Sequence, residues 1–146
     1  MKKVTKRINV RYGETDQMGV VYHANYIVYF EDARTAFIES LGFPYKGLED
    51  AGYLSPVVSV TCEYGAPLHY GDEACVVVWV DKLTKAKVTY RYEVYASEDA
   101  VGVAKPNAKG ESVHCLVEKD TFRPVNMKTA SPGLYRAYEA ALAEGE

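Results

Sequence analysis

No stretch of the chain approaches the roughly 20 consecutive apolar residues that cross a bilayer, so no spanning helix is expected. The first ten residues, MKKVTKRINV, are basic, but no apolar run follows them and they do not read as a secretory signal. Cysteine is scarce. Cys62, Cys75 and Cys115 form no C-x-x-C and cannot all pair within one chain, which points to reduced thiols in a cytoplasmic protein. The three histidines, His23, His69 and His114, have no metal-ligand spacing, so neither a metal nor another cofactor is expected. The absence of G-x-S-x-G removes a serine α/β-hydrolase. Positive charge is not in surplus either: 17 Lys and Arg against 20 Asp and Glu leave a net charge of −3, without the basic field a nucleic acid partner requires.

Apolar side chains are plentiful. They make up 48% of 146 residues, enough for one buried core, and residues 1–146 read as a single domain. The clearest period is helical. From Tyr26, apolar residues recur at Ile27, Phe30, Ala33, Phe37, Ile38 and Leu41, while Glu31, Asp32, Thr35 and Glu39 take the outer face. Glu31 and Arg34 are spaced for an exposed i, i+3 pair. Gly42 supplies a left-handed stop, and Pro44 cannot continue the helix. Residues 44–52 read as a loop with one short helical turn.

Most of the remaining pattern has period two. Residues 4–12 alternate, with Tyr12 as the last inward residue, and residues 57–64 place Val58, Val60, Cys62 and Tyr64 on one side. Residues 74–80 (ACVVVWV) are apolar on both faces and need cover on both; the helix supplies one side, and a second copy of the chain is expected to supply the other. Residues 87–96 turn Val88, Tyr90, Tyr92 and Val94 inward. Residues 101–104 and 111–118 form the last strand or strands, with 105–110 as a hairpin or wide bulge. Ser131 and Pro132 open a short C-terminal helix whose stripe, Leu134, Tyr135, Tyr138, Ala141 and Leu142, ends before Gly145. The class is α+β.

Between the first strand and the long helix lie the turn formers Gly13, Thr15, Asp16, Gly19 and Asn25, so a carboxylate on an irregular segment runs straight into a helix start. Taken alone, Asp16 is first a capping or Asx-turn residue, and second a catalytic carboxylate facing free helix N–H groups. The spacing Asp16, Gly19, Val20, Val21, Tyr22, His23, Asn25, Tyr26, with Tyr12 four residues before Asp16, resembles the signature of hotdog-fold acyl-CoA thioesterases of the 4-hydroxybenzoyl-CoA thioesterase-like group. The likeness is specific across about residues 8–42 and weaker across 55–72, SPVVSVTCEYGAPLHYGD.

That resemblance implies the hotdog fold, an antiparallel sheet wrapped around one long central helix, with domains pairing sheet to sheet in a homodimer or homotetramer. It implies hydrolysis of an acyl-CoA substrate to a free carboxylic acid and CoA. Asp16 would be nucleophile or general base, and the His23 N–H the oxyanion donor. Tyr12 could orient Asp16, with Gly19, Val20 and Tyr22 at the substrate; Tyr12 and Tyr22 read equally as core aromatics, and the His23 side chain, which could contact substrate or fix the loop, reads equally as a hydrogen-bonded structural His. Lys85, Lys87 and Arg91 lie where the family offers basic groups to the phosphates of CoA, against the competing reading of a solvated turn. His69 and His114 read as structural. His114 and Cys115 are adjacent in a strand, point to opposite faces and cannot form a dyad. Two rivals remain: a hotdog dehydratase, which pairs a His with a carboxylate on the helix, and a non-catalytic acyl-CoA-binding protein. Release of CoA, hydration without release, or binding alone separates the three.

Overall fold

The helical stripe becomes α1 (Asn25–Ser40) in the computed structural model, which describes residues 1–144. Its buried side is Tyr26, Tyr29, Phe30, Ala33, Arg34, Phe37 and Ile38. Gly42 has φ +87° and donates to the Glu39 carbonyl, the left-handed stop expected of it. Arg34 departs from expectation. Instead of pairing with Glu31 at the surface, it is buried and donates to the phenols of Tyr45 and Tyr92 at 3.2 and 3.1 Å. The cause is α2 (Tyr45–Asp50), the short helical turn anticipated after Pro44, which brings Tyr45 over the guanidinium.

Five strands wrap α1: β1 (Lys3–Asn9), β3 (Val57–Tyr64), β4 (Glu73–Leu83), β5 (Lys87–Tyr95) and β6 (Ala108–Cys115). They form one antiparallel sheet in the order β1-β4-β5-β6-β3. The short β2 (Tyr53–Leu54) and β7 (Val117–Glu118) pair with each other. Two helices, α3 (Met127–Ala130) and α4 (Pro132–Ala143), complete the described chain; Gly145, the expected end of the last stripe, lies outside the described residues. The helix and sheet approach closely at Gly110. A Cβ there would stand 2.3 Å from Phe30 Cε2, and the Phe30 ring stacks on Tyr92 at 4.3 Å. Further along the same face, α4 joins the core through Tyr138, whose hydroxyl lies 2.6 Å from that of Tyr90.

Four strand expectations change. β1 stops at Asn9, because its partner β4 begins at Glu73 and offers no further ladder, so Tyr12 falls in a 3-10 turn and is 76% exposed. Residues 101–104 form a turn and no strand; the connection from β5 folds back, with Asn107 bonding Ala96 N–H and the Ala66 carbonyl, and β6 starts only at Ala108. The cover expected for β4 differs at one end: Cys75 and Tyr95, on the face away from α1, are buried within the single chain, where the Glu98–Ala100 turn packs beside Cys75, while Trp79 further along that face is only partly buried. The face expected to be inward on β3 stays largely open: Val58 is 49% and Tyr64 50% exposed, because β3 is an edge strand with only β6 beside it.

Candidate active site

Residues 10–25 carry the chain from β1 to α1 and are pinned at both ends. Val10 N–H donates to the Asp72 carbonyl at 3.0 Å and Val21 N–H to that of Leu68 at 2.9 Å. Between them the backbone reverses, with Asp16 N–H on the Val20 carbonyl and Gly19 N–H on the Asp16 carbonyl; Gly19 holds φ +80°, a conformation glycine adopts at no steric cost. The half-buried Asp16 carboxylate accepts Met18 N–H on Oδ1 at 2.8 Å. This is the Asx turn expected of Asp16, and it also aims the carboxylate.

At the start of α1 the N-cap is Ala24, which has no side-chain acceptor to offer. No hydrogen bond formed by the described residues uses the N–H of His23 or Ala24. These are orphan donors at the positive end of a helix. The Tyr64 hydroxyl donates to the His23 carbonyl at 2.8 Å, and partial burial with Cys62 alongside holds that phenol up at about 12, so it stays a donor. Asp16, Val20, His23, Tyr26 and Tyr64 line one cleft of about 160 Å³.

Glu14, which the sequence pattern did not single out, joins the two halves. Its carbonyl accepts Tyr22 N–H at 2.9 Å and the Asn25 side-chain amide at 2.8 Å. Its carboxylate accepts Arg11 N–H at 2.9 Å and the buried Tyr29 hydroxyl at 3.0 Å. Burial and this carboxylate together push the Tyr29 pKa well above the usual phenol range. The turn holding Asp16 is therefore stapled to the first two turns of α1. The only trace in the sequence was an acidic residue two positions before Asp16.

A family model described as the thioesterase-like superfamily matches residues 10–137. The chain belongs to that superfamily. It is 44% identical over 136 residues to the "Putative acyl-CoA thioesterase YneP" of Bacillus subtilis, covering 93% of this chain and 95% of the relative. It is 32% identical over 140 residues to the acyl-CoA thioesterase YbgC of Helicobacter pylori, covering 93% and 99%. Its fold superposes on the DHNA-CoA thioesterase of Staphylococcus aureus with TM-score 0.90 and 33% identity, over 98% of this chain and 93% of that one. The sheet wrapped on α1 is the hotdog fold, and this member of the thioesterase-like superfamily is a thioester hydrolase.

The other candidates in this thioesterase lie apart from the cleft or at its margin. Tyr22 packs its half-exposed ring on that of His23, centroids 4.4 Å apart. Tyr12 sits edge-on to Tyr70 at 5.6 Å, its exposed ring outside the cleft lining. Lys87 pairs with Cys115, seven residues along β5 from Val94, whose cross-strand row runs through Ala108 to Tyr64; that is about 24 Å away. Lys85 is in the adjoining turn, its carbonyl accepting Met127 N–H. Arg91, on the sheet face away from α1, bonds Asp81 and Glu111, each at 3.0 Å. His69 is exposed beside Asp72, and His114 is sealed in the core at 2.8 Å from Ser112.

Proposed function

We propose that the chain hydrolyses acyl-CoA thioesters to a free carboxylic acid and CoA, with Asp16 acting at the thioester carbon and the His23 N–H binding the developing oxyanion. The observation that carries this reading is a carboxylate and an uncapped helix start lining the same cleft. In a nucleophilic route, an Asp16 oxygen adds to the carbonyl carbon and the π pair moves onto the oxygen facing His23 N–H. Collapse then breaks the C–S bond, expels the CoA thiolate and leaves an acyl-aspartyl anhydride that water opens. In a general-base route, Asp16 takes the proton of the attacking water, the same bond breaks, and the proton passes to the thiolate. A single oxyanion hydrogen bond is worth about 3 to 4 kcal/mol, against about 0.3 to 1 for the helix dipole, so the N–H stabilises the oxyanion more than the dipole does.

The same proposal includes a homodimer formed across β3, with its open edge and exposed Val57, Val58 and Val60. Antiparallel pairing of two β3 strands would set the partner's far end, with the row that holds its turn lysines, beside Tyr64, closing the distance that separates Lys85 and Lys87 from the cleft in one chain. The free Cys62, Cys75 and Cys115 accord with a cytoplasmic setting. A dehydratase is disfavoured: Glu31 on α1 lines cavities that contain no histidine.

The test is CoA release measured with a thiol-reactive dye across a panel of acyl-CoAs. Asp16→Asn should lower kcat by about 10²- to 10⁴-fold while the protein stays folded. Near-normal turnover by a folded Asp16→Asn protein would refute the assignment.

A further inference from the structure

Arg34 is a buried cation with no carboxylate bonded to it. It is 9% exposed, and none of the ion pairs formed by the described residues includes it. Its two protein partners are the phenols of Tyr45 and Tyr92, both kept neutral by burial, which raises their pKa values. Beyond Tyr92 the chain of bonds continues to Ser112 at 2.5 Å and on to His114 Nε2 at 2.8 Å. Burial, and after it the charge of Arg34, push the His114 pKa down to about 3, so this imidazole ends the chain as a neutral ring. The network therefore contains a cation and no anion. Buried charges are normally paired, because the desolvation cost of an unpaired one is several kcal/mol.

The remaining guanidinium N–H groups have somewhere to go. A guanidinium carries five, and Nε and Nη1 each use one on a phenol. No buried side-chain nitrogen or oxygen among the described residues lacks a partner, so the unused Nη2 is not sealed in protein. Arg34 and Glu31 together line both a cavity of about 240 Å³, walled by Ile27, Phe30, Val57 and Val60, and a groove of about 370 Å³ beneath Tyr45. Glu31 is exposed and forms no ion pair with Arg34.

We propose that the substrate supplies the missing charge: the acyl group ends in a carboxylate that Arg34 binds, so the preferred substrates are CoA half-thioesters of dicarboxylic acids. This rests on the acyl-CoA hydrolase reading above. A carboxylate matches the guanidinium fork and neutralises its charge, whereas a hydroxyl would satisfy a donor and leave the charge standing. The reach is consistent. Ile27, one turn after His23, lines the apolar cavity, and Arg34 lies eleven residues on from His23, about 16 Å of helix. The tilt of helical side chains toward the N-terminus shortens the span to on the order of 10 Å, bounded by apolar walls that suit a methylene chain.

The decisive comparison is kcat/KM for octanoyl-CoA against suberoyl-CoA, equal in length and differing in the terminal carboxylate. The wild-type protein should prefer suberoyl-CoA by at least about tenfold, Arg34→Met should abolish that ratio, and Arg34→Lys should restore part of it. No preference in the wild type, or an equal loss on both substrates in Arg34→Met, overturns the proposal. Binding of free suberate is a second, activity-independent readout. It should raise the Tm of wild type and not of Arg34→Met, while octanamide, which has no carboxylate, raises neither; no shift with suberate also overturns the proposal. If neither thioester is cleaved, the hydrolase reading fails, and the suberate shift still judges the Arg34 site by itself. Arg34→Met should fold, since Tyr92 keeps its bond to Ser112 and the Tyr45 hydroxyl, which lines the groove, can turn to solvent.

Discussion

Glu14→Ala should separate the staple from the chemistry it positions. Truncation removes the acceptor of the Tyr29 hydroxyl, at 3.0 Å, and leaves that phenol buried with 1% exposure and no partner. A hydrogen bond to a charged group is worth about 1.5–3 kcal/mol, and the orphaned donor makes the upper half of that range the expectation. At about 2–4 °C per kcal/mol for a domain of this size, the Tm should fall by about 5–10 °C. The Glu14 carbonyl still holds Tyr22 and Asn25, so the turn loosens without detaching. Because about 1 Å of misplacement can cost about 100-fold, kcat should drop by about 10- to 100-fold with a smaller change in KM. Glu14→Gln keeps an acceptor oxygen and loses only the pair with an exposed Arg11 side chain, so it should remain close to wild type. Adding Tyr29→Phe to Glu14→Ala should recover about 1–2 kcal/mol, because the stranded hydroxyl is gone. Thermal unfolding and CoA-release kinetics on wild type, Glu14→Ala, Tyr29→Phe and the double variant complete the cycle, with Glu14→Gln measured beside them. A Glu14→Ala protein with unchanged Tm and kcat would refute the staple, and equal damage from Glu14→Gln would show that charge matters and not the bond.

Three further outcomes follow from the same geometry. His114 has its pKa lowered to about 3 in the fold, so the unfolded chain binds more protons below about 6.5; the contribution is intact above that pH and is lost as pH falls toward 3, about 3 kcal/mol by pH 4, and His114→Gln should flatten this slope in denaturant titrations at pH 4 to 7. Gly110→Ala drives a Cβ into Phe30, and the denaturation midpoint should show a loss of at least about 2 kcal/mol that Phe30→Leu partly relieves; a fully stable Gly110→Ala protein would contradict the close helix–sheet approach. His23→Pro deletes the proposed oxyanion donor and should lower kcat by about 100- to 1,000-fold, whereas His23→Ala keeps the N–H and should lose far less; equal losses would place the function in the imidazole.

The helix and the turn before it were legible because their signals are local. A 3.6-residue stripe needs only its own residues to be read, and Gly42 stops the helix by its own backbone preference. Asp16 and His23 could be named together because seven residues of chain, with glycine in the right place, hold them near each other whatever surrounds them. Tyr12 was misplaced for a related reason: alternation continued past Asn9, while the ladder that would have made it a strand ended with β4. Residues 101–104 failed likewise, being apolar enough for a strand but diverted by a connection anchored through Asn107 to a carbonyl 41 residues away.

The order of polar and apolar residues by itself determined the long helix, the strands that face it, and the pairing of an acidic turn with a helix start, since each rests on contacts within one or two turns of chain. Only the tertiary structure decided the rest. Arg34 reads as a surface residue until Tyr45 and Tyr92 arrive from elsewhere to bury it, Glu14 becomes a staple only when Tyr29 swings in beneath it, and Gly110 matters only because a ring from α1 rests on it. Burial of a polar group is a property of what packs against it, and those partners come from distant parts of the chain that no local period reports.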